Sequence, residues 1–180
     1  YTTLFRSGRG FGARLASVMP AGPKCSRIMS FDNSDSRLKD NKIIQEAVKL
    51  VEEGICVTLP VDGRSMLPFI IGGEDSVLLE KPQKSEIGDV VLAWVEQCRF
   101  VVHRIIAVNG DEVTLMGDGN IRGVEQCRLE DIKASVTYVV DKKGKRRNIK
   151  DRKHRCGSYI WRRLRPVRRY LLAIYKIIWR

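Results

Sequence analysis

The chain has 180 residues, 43% of them hydrophobic, and a formal charge of +12. That suits one globular domain with tails and excludes a chain disordered throughout. The charge is unevenly placed: residues 142–180 carry 16 Lys/Arg against one acid, Asp151, whereas residues 29–141 carry 12 basic and 20 acidic side chains. An acidic globular unit is therefore followed by a strongly basic tail. The five cysteines, at 25, 56, 98, 127 and 156, are far apart and form no Cys-x-x-Cys pair, so no metal or other cofactor is expected. No run of about 18 apolar residues occurs, and no transmembrane helix is expected. The start of the chain lacks the apolar core of a secretory signal, so the expected location is cytoplasmic or peripheral to the cytoplasmic membrane.

In chain order, residues 1–28 are rich in Gly, Arg and Ser and hold no acid. They read as a disordered arm, or as sequence foreign to the natural protein, since Met29 before a polar stretch looks like a start. Residues 29–54 form a helical lead-in. Within it, Ile43, Ile44, Ala47, Val48 and Val51 recur at three- and four-residue spacing before Gly54, the pattern of an amphipathic helix over 40–53. Strands are expected at 55–61, 76–80, 90–95, 100–108, 112–116 and 132–140, with Gly-Gly, Gly-Asp and Asn-Gly turns among the connections. These short runs without intervening helices predict a mainly β, small antiparallel and partly barrel-like domain over 55–141. The tail, 142–180, mixes Trp, Tyr, Leu and Ile with Arg and Lys. It reads as a basic amphipathic helix broken at Pro166, suited to an anionic membrane surface. Packing of its apolar residues on the domain is the alternative, and specific nucleic-acid binding is not expected.

The segment Asp62-Gly63-Arg64-Ser65-Met66-Leu67-Pro68 places a serine between an apolar strand and a turn. A serine hydroxyl is a poor nucleophile at neutral pH and needs a base within hydrogen-bond reach. His103 lies in Phe100-Val-Val-His-Arg-Ile-Ile106, where alternation puts it on one face with Val101 and Ile105. Taking Asn109 and Gly110 as the two turn residues pairs His103 with Met116. Asp118, just beyond, is then the carboxylate best placed to orient the imidazole, although an Asx turn would equally account for it. Asp62, Asp89 and Asp111 read as structural turn residues.

Four segments stand in a telling order: Gly63-Arg64-Ser65-Met66-Leu67-Pro68, Gly88-Asp89-Val90-Val91, His103-Arg104-Ile105-Ile106 and Gly117-Asp118-Gly119-Asn120. Together they resemble the superfamily of serine peptidases that contains the signal peptidases and LexA-like proteins. Histidine before Arg-Ile is similar to the endoplasmic-reticulum and archaeal type of signal peptidase. The resemblance covers about 55–140. It implies a serine endopeptidase acting on a peptide or precursor protein, with Ser65 as nucleophile, His103 as general base and Asp118 as the orienting acid. The backbone N–H of Ser65 and groups near Gly63 are expected to hold the oxyanion. Gly63, Arg64 and Met66 are candidates for oxyanion or substrate contacts, with Arg64 facing solvent. That type commonly has a second aspartate after its Gly-Asp-Asn-Asn segment; here Glu125 is the nearby acid and so the alternative orienter. A non-catalytic peptide- or membrane-surface-binding module and a nucleic-acid binder acting through the tail are the competing readings.

Overall fold

The computed structural model of the chain describes residues 25–28, 36–96, 99–164 and 166–178, excepting the side chains of 25–28, 36–40 and 174–178. A helix, α1 (Ser36–Glu52), leads into strands β2 (Cys56–Pro60), β3 (Ser76–Glu80), β4 (Val90–Val95), β5 (Arg99–Asn109), β6 (Glu112–Met116), β7 (Glu125–Arg128) and β8 (Ile132–Val140). A short strand β9 (Arg146–Asn148) and two helices, α2 (Arg152–Arg163) and α3 (Arg168–Ile178), follow. One further strand, β1 (Cys25–Ile28), pairs in parallel with β2. The expected arm thus contributes a strand at its end, while 1–24 lie outside the described residues.

The other pairings are antiparallel, in the order β1-β2-β3-β8-β4-β5-β6-β7, with β9 on β8. Contacts also link β4 and β7, although β5 and β6 separate them in the sheet. The sheet is therefore a curled half-barrel, mainly β as the turn-punctuated runs predict. β7 and β9 are strands that the sequence pattern does not announce. Both are short and polar, and they gain stability by pairing rather than from an apolar face.

Helix α1 has its spacing satisfied: Ile44, Ala47, Val48 and Val51 are buried in contact with β2, β5 and β8. Full burial of each larger side chain is worth roughly 1.5–3 kcal/mol. Gly54, at φ 84°, ends the helix. Its N–H reaches the Val51 carbonyl and the Ile55 N–H reaches Leu50, the paired bonds of a Schellman stop. The core continues through Val57, Leu59, Leu79, Leu92, Val101, Leu115 and Val136.

The β5–β6 hairpin corrects one expectation with consequences for the site. Asn109 pairs with Glu112 and Val108 with Val113, so the turn residues are Gly110 and Asp111 rather than Asn109 and Gly110. A bulge at Ile106 then shifts the ladder again, and Arg104, not His103, stands opposite Met116. Because side chains alternate, a one-residue shift reverses which face each residue shares with its partner. Asp118, two residues past Met116, falls on the face of Arg104.

The basic tail is helical and interrupted around Pro166, as expected. Asp151 caps α2 by accepting the Arg152 N–H at 2.8 Å. Residues from both helices, His154, Ser158, Trp161, Arg168 and Leu172, turn inward to varying depth. The tail therefore packs on the domain through one face. No helix of the described residues is long and apolar enough to cross a membrane.

Candidate active site

His103 is fully buried on β5. Its acid partner follows from strand register: Ile105 pairs with Leu115, and Leu115 pairs with Glu125 on β7. Cross-strand partners share a face, and Ile105 shares one with His103, so Glu125 arrives beside the imidazole. Glu125 Oε2 lies 2.5 Å from His103 Nδ1. An ionised carboxylate only accepts, so in this bond Nδ1 carries the hydrogen and, in the neutral ring, Nε2 keeps the lone pair. Nε2 is enclosed and has no hydrogen-bond partner among the described residues. Leaving a buried polar atom unpaired costs about 1–3 kcal/mol, a cost that proteins commonly tolerate where a group has chemical work.

The other carboxylate oxygen, Glu125 Oε1, accepts from Arg99 Nη2 at 2.9 Å. Burial pushes the Glu125 carboxyl up, but the hydrogen bond and charge of His103, with Arg99, outweigh it and leave the pKa below the ordinary value. Arg99, His103 and Glu125 thus form one continuous polar line. The sequence reading did not single out Arg99. Its position four residues before His103, on the same strand face, was the available signal.

Asp118 has a different task from the one expected. Its carboxylate accepts Arg104 Nε at 2.9 Å and Nη2 at 2.6 Å. Both side chains are almost completely buried. Arg104 Nη1 donates to the Gly88 carbonyl at 2.6 Å, and its guanidinium lies 5.6 Å from the Phe69 ring centre. One arginine thus joins the Gly88-Asp89 turn, the 117–120 loop and the turn after Ser65. Three of the sequence motifs meet at it for a structural reason. The carboxylate that meets His103 is that of Glu125, the alternative raised above, and Asp118 is the anchor of Arg104.

Ser65 lies at the start of a turn that includes a cis Leu67–Pro68 bond. Gly119 N–H donates to the Ser65 carbonyl at 2.6 Å. A Cβ on Gly117 would strike the Ser65 carbonyl oxygen and Cβ, and one on Gly119 would strike the Arg64 carbonyl. Only glycine permits this approach. The Ser65 backbone therefore rests directly on the 117–120 loop that follows β6. No hydrogen bond joins its Oγ to His103 among the described residues. Ser65 lines a small cleft with Val61, Gly63, Met66, Ile70, Gly72 and Val102.

The other expected contacts divide. The backbone N–H of Ser65 makes no hydrogen bond with a described residue. The Gly63 N–H is engaged by Asp62 Oδ1 at 2.8 Å, so Gly63 serves as cleft wall rather than oxyanion donor. Met66 is buried in the wall. Arg64 is exposed, as expected for a side chain facing solvent, and it makes no ion pair with a described residue. Asp62 and Asp89 hold turns, the latter by accepting the Glu86 N–H.

The tail helices reach this site from behind. Trp161 Nε1 donates to the Asp118 carbonyl at 2.7 Å, and Arg168 Nη1 donates to the Asn120 carbonyl at 2.9 Å. Arg168 is 2% exposed and lies over the Trp161 ring. Phe69 meets both His154 and Trp161. These two residues fix the 117–120 loop on which Ser65 rests, a role that a basic and apparently detachable tail did not suggest. Among the described residues, no group of three or more His, Cys, Asp or Glu side chains is placed to hold a metal ion. No family model and no curated protein matches the chain.

Proposed function

We propose that this chain is a serine endopeptidase similar to the signal peptidases, acting on a peptide or precursor protein. Ser65 is the nucleophile, His103 the general base and Glu125 the acid that orients it. The observation that carries this reading is the state of His103. One ring nitrogen is held by a carboxylate at 2.5 Å, and the other is enclosed and unpaired among the described residues. In a purely structural histidine both nitrogens would ordinarily find partners.

The steps follow from these groups. Ser65 Oγ attacks the scissile carbonyl as His103 Nε2 takes its proton, and Glu125 stabilises the imidazolium that forms. The Ser65 N–H supports the negative oxygen. The imidazolium then protonates the leaving amine, and the C–N bond breaks to leave an acyl-serine. Water, deprotonated by the same nitrogen, attacks the ester and releases the carboxylate product and free Ser65. The cleft walls, made by Val61, Met66, Ile70 and Val102 with glycines at 63 and 72, suit a small apolar side chain beside the cut. The missing bond between Ser65 Oγ and His103 favours the second reading, a peptide-binding module without chemistry.

Cleavage decides between them. A proteome-derived peptide library is incubated with the full chain or with S65A, and new termini are identified by mass spectrometry. The peptidase reading expects termini that S65A does not produce. Identical termini from both proteins, or none from either, would overturn it.

A further inference from the structure

The inward faces of α2 and α3 are occupied, but their outward faces are not. Tyr159, Ile160, Leu164, Val167, Tyr170 and Leu171 are each 36–58% exposed. They follow one another at helical spacing on both sides of the break at Pro166. Arginines stand among them: Arg162 and Arg163 lie over the Tyr159 ring at 5.7 and 5.6 Å, and Arg169 lies over Tyr170 at 4.5 Å. From residue 142 onward Asp151 is the sole acid, and it caps α2.

We infer that this face docks on an anionic lipid surface. The apolar side chains suit the boundary between headgroups and acyl chains, the tyrosines suit headgroup depth, and the arginines suit lipid phosphates. A second copy of the same face would bring like charges together. Nucleic acid would match the arginines yet leave six apolar side chains without a use. Helices of 12 and 11 residues reach about 18 and about 16 Å at 1.5 Å per residue, short of the roughly 30 Å hydrocarbon layer. They lie on the bilayer and do not cross it. The inference stands apart from the chemistry of Ser65, which the outward side chains do not touch.

The test is co-sedimentation of the full chain with vesicles of phosphatidylcholine alone or with about a third phosphatidylglycerol, at low and high salt. Short duplex DNA and self-association are measured in parallel. Binding is expected with the anionic vesicles and not the neutral ones, and it should weaken as salt rises. Each arginine near such a surface contributes about fivefold in partitioning, so R162Q/R163Q/R169Q should lose on the order of a hundredfold. Y159S/I160S/Y170S/L171S should also lose binding, while S65A binds like the parent chain. These substitutions are at outward positions, and circular dichroism checks that the helices persist. The inference is overturned if anionic vesicles are not bound, if neutral ones are bound equally, or if Y159S/I160S/Y170S/L171S binds unchanged. It is also overturned if the face proves to serve DNA or a second copy while vesicles are ignored.

Discussion

Replacing the two candidate acids one at a time separates their tasks. E125Q keeps the shape of the side chain but removes the charge that faces the imidazolium, and its amide can present N–H where Nδ1 needs an acceptor. Loss of the orienting acid in a Ser-His-acid site lowers turnover by about 10⁴. A fall of 10³–10⁴ in kcat/KM is therefore expected for E125Q, about 4–5.5 kcal/mol of barrier. Its effect on folding should be small, because Arg99 is a third exposed and retains Glu96. D118N should do the reverse. Arg104 is 1% exposed, and breaking a buried pair on one side costs about 3–5 kcal/mol. At about 2–4 °C per kcal/mol for a chain of this size, Tm should fall by roughly 6–20 °C. The assay is cleavage of a peptide found in the library screen, paired with thermal unfolding of each variant. The reasoning is refuted if E125Q stays within tenfold of the parent while a folded D118N is inactive.

Other expectations follow from the same geometry. R99Q removes a cation that helps hold the Glu125 carboxyl below its ordinary pKa. Activity needs that carboxylate ionised and falls as pH drops through its pKa, so the acid limb of the kcat/KM profile should move to higher pH, with R99K restoring part of the shift. G117A should cost activity without altering the chemical groups, because a Cβ there collides with the Ser65 backbone; restored activity would require the loop to move, which a pair of crystal structures would reveal. Burial, with Arg104 and Arg147, holds the pKa of His154 below its ordinary value. The unfolded chain then takes up a proton that the folded chain resists, so stability is lost as pH falls below about 6.5. H154F should flatten that dependence in urea titrations across the same range.

Much of the fold is legible in the sequence because apolar runs and turn residues carry it. α1 and most central strands fall where periodicity and Gly-rich turns place them. β7 was invisible since Glu125-Gln-Cys-Arg128 has no apolar alternation; its stability comes from pairing on β6. The site was half legible. Ser65 and His103 carry chemistry in their residue types, but the choice between Asp118 and Glu125 turned on register. An Asn-Gly dipeptide suggested one turn, whereas the chain turns a residue later and bulges at Ile106, and those shifts send Asp118 to Arg104. Trp161 and Arg168 were hidden for another reason. A side chain's use of a distant backbone carbonyl leaves no periodic trace, and a charge-rich tail reads as solvated until its buried arginine is seen.

The account depends on Ser65 and His103 sharing one cleft, and a thiol in place of the hydroxyl reports that meeting without any substrate. In S65C, the rate of alkylation at position 65 by iodoacetamide is followed by peptide mass spectrometry across pH. A thiol in this enclosed position without a partner should titrate above the ordinary value of about 8.5, as burial lifts Cys127 to about 11. Beside the imidazole it should titrate well below about 8.5, and S65C/H103Q should reverse the shift. A midpoint at or above about 8.5 that is the same with and without His103 would contradict the account.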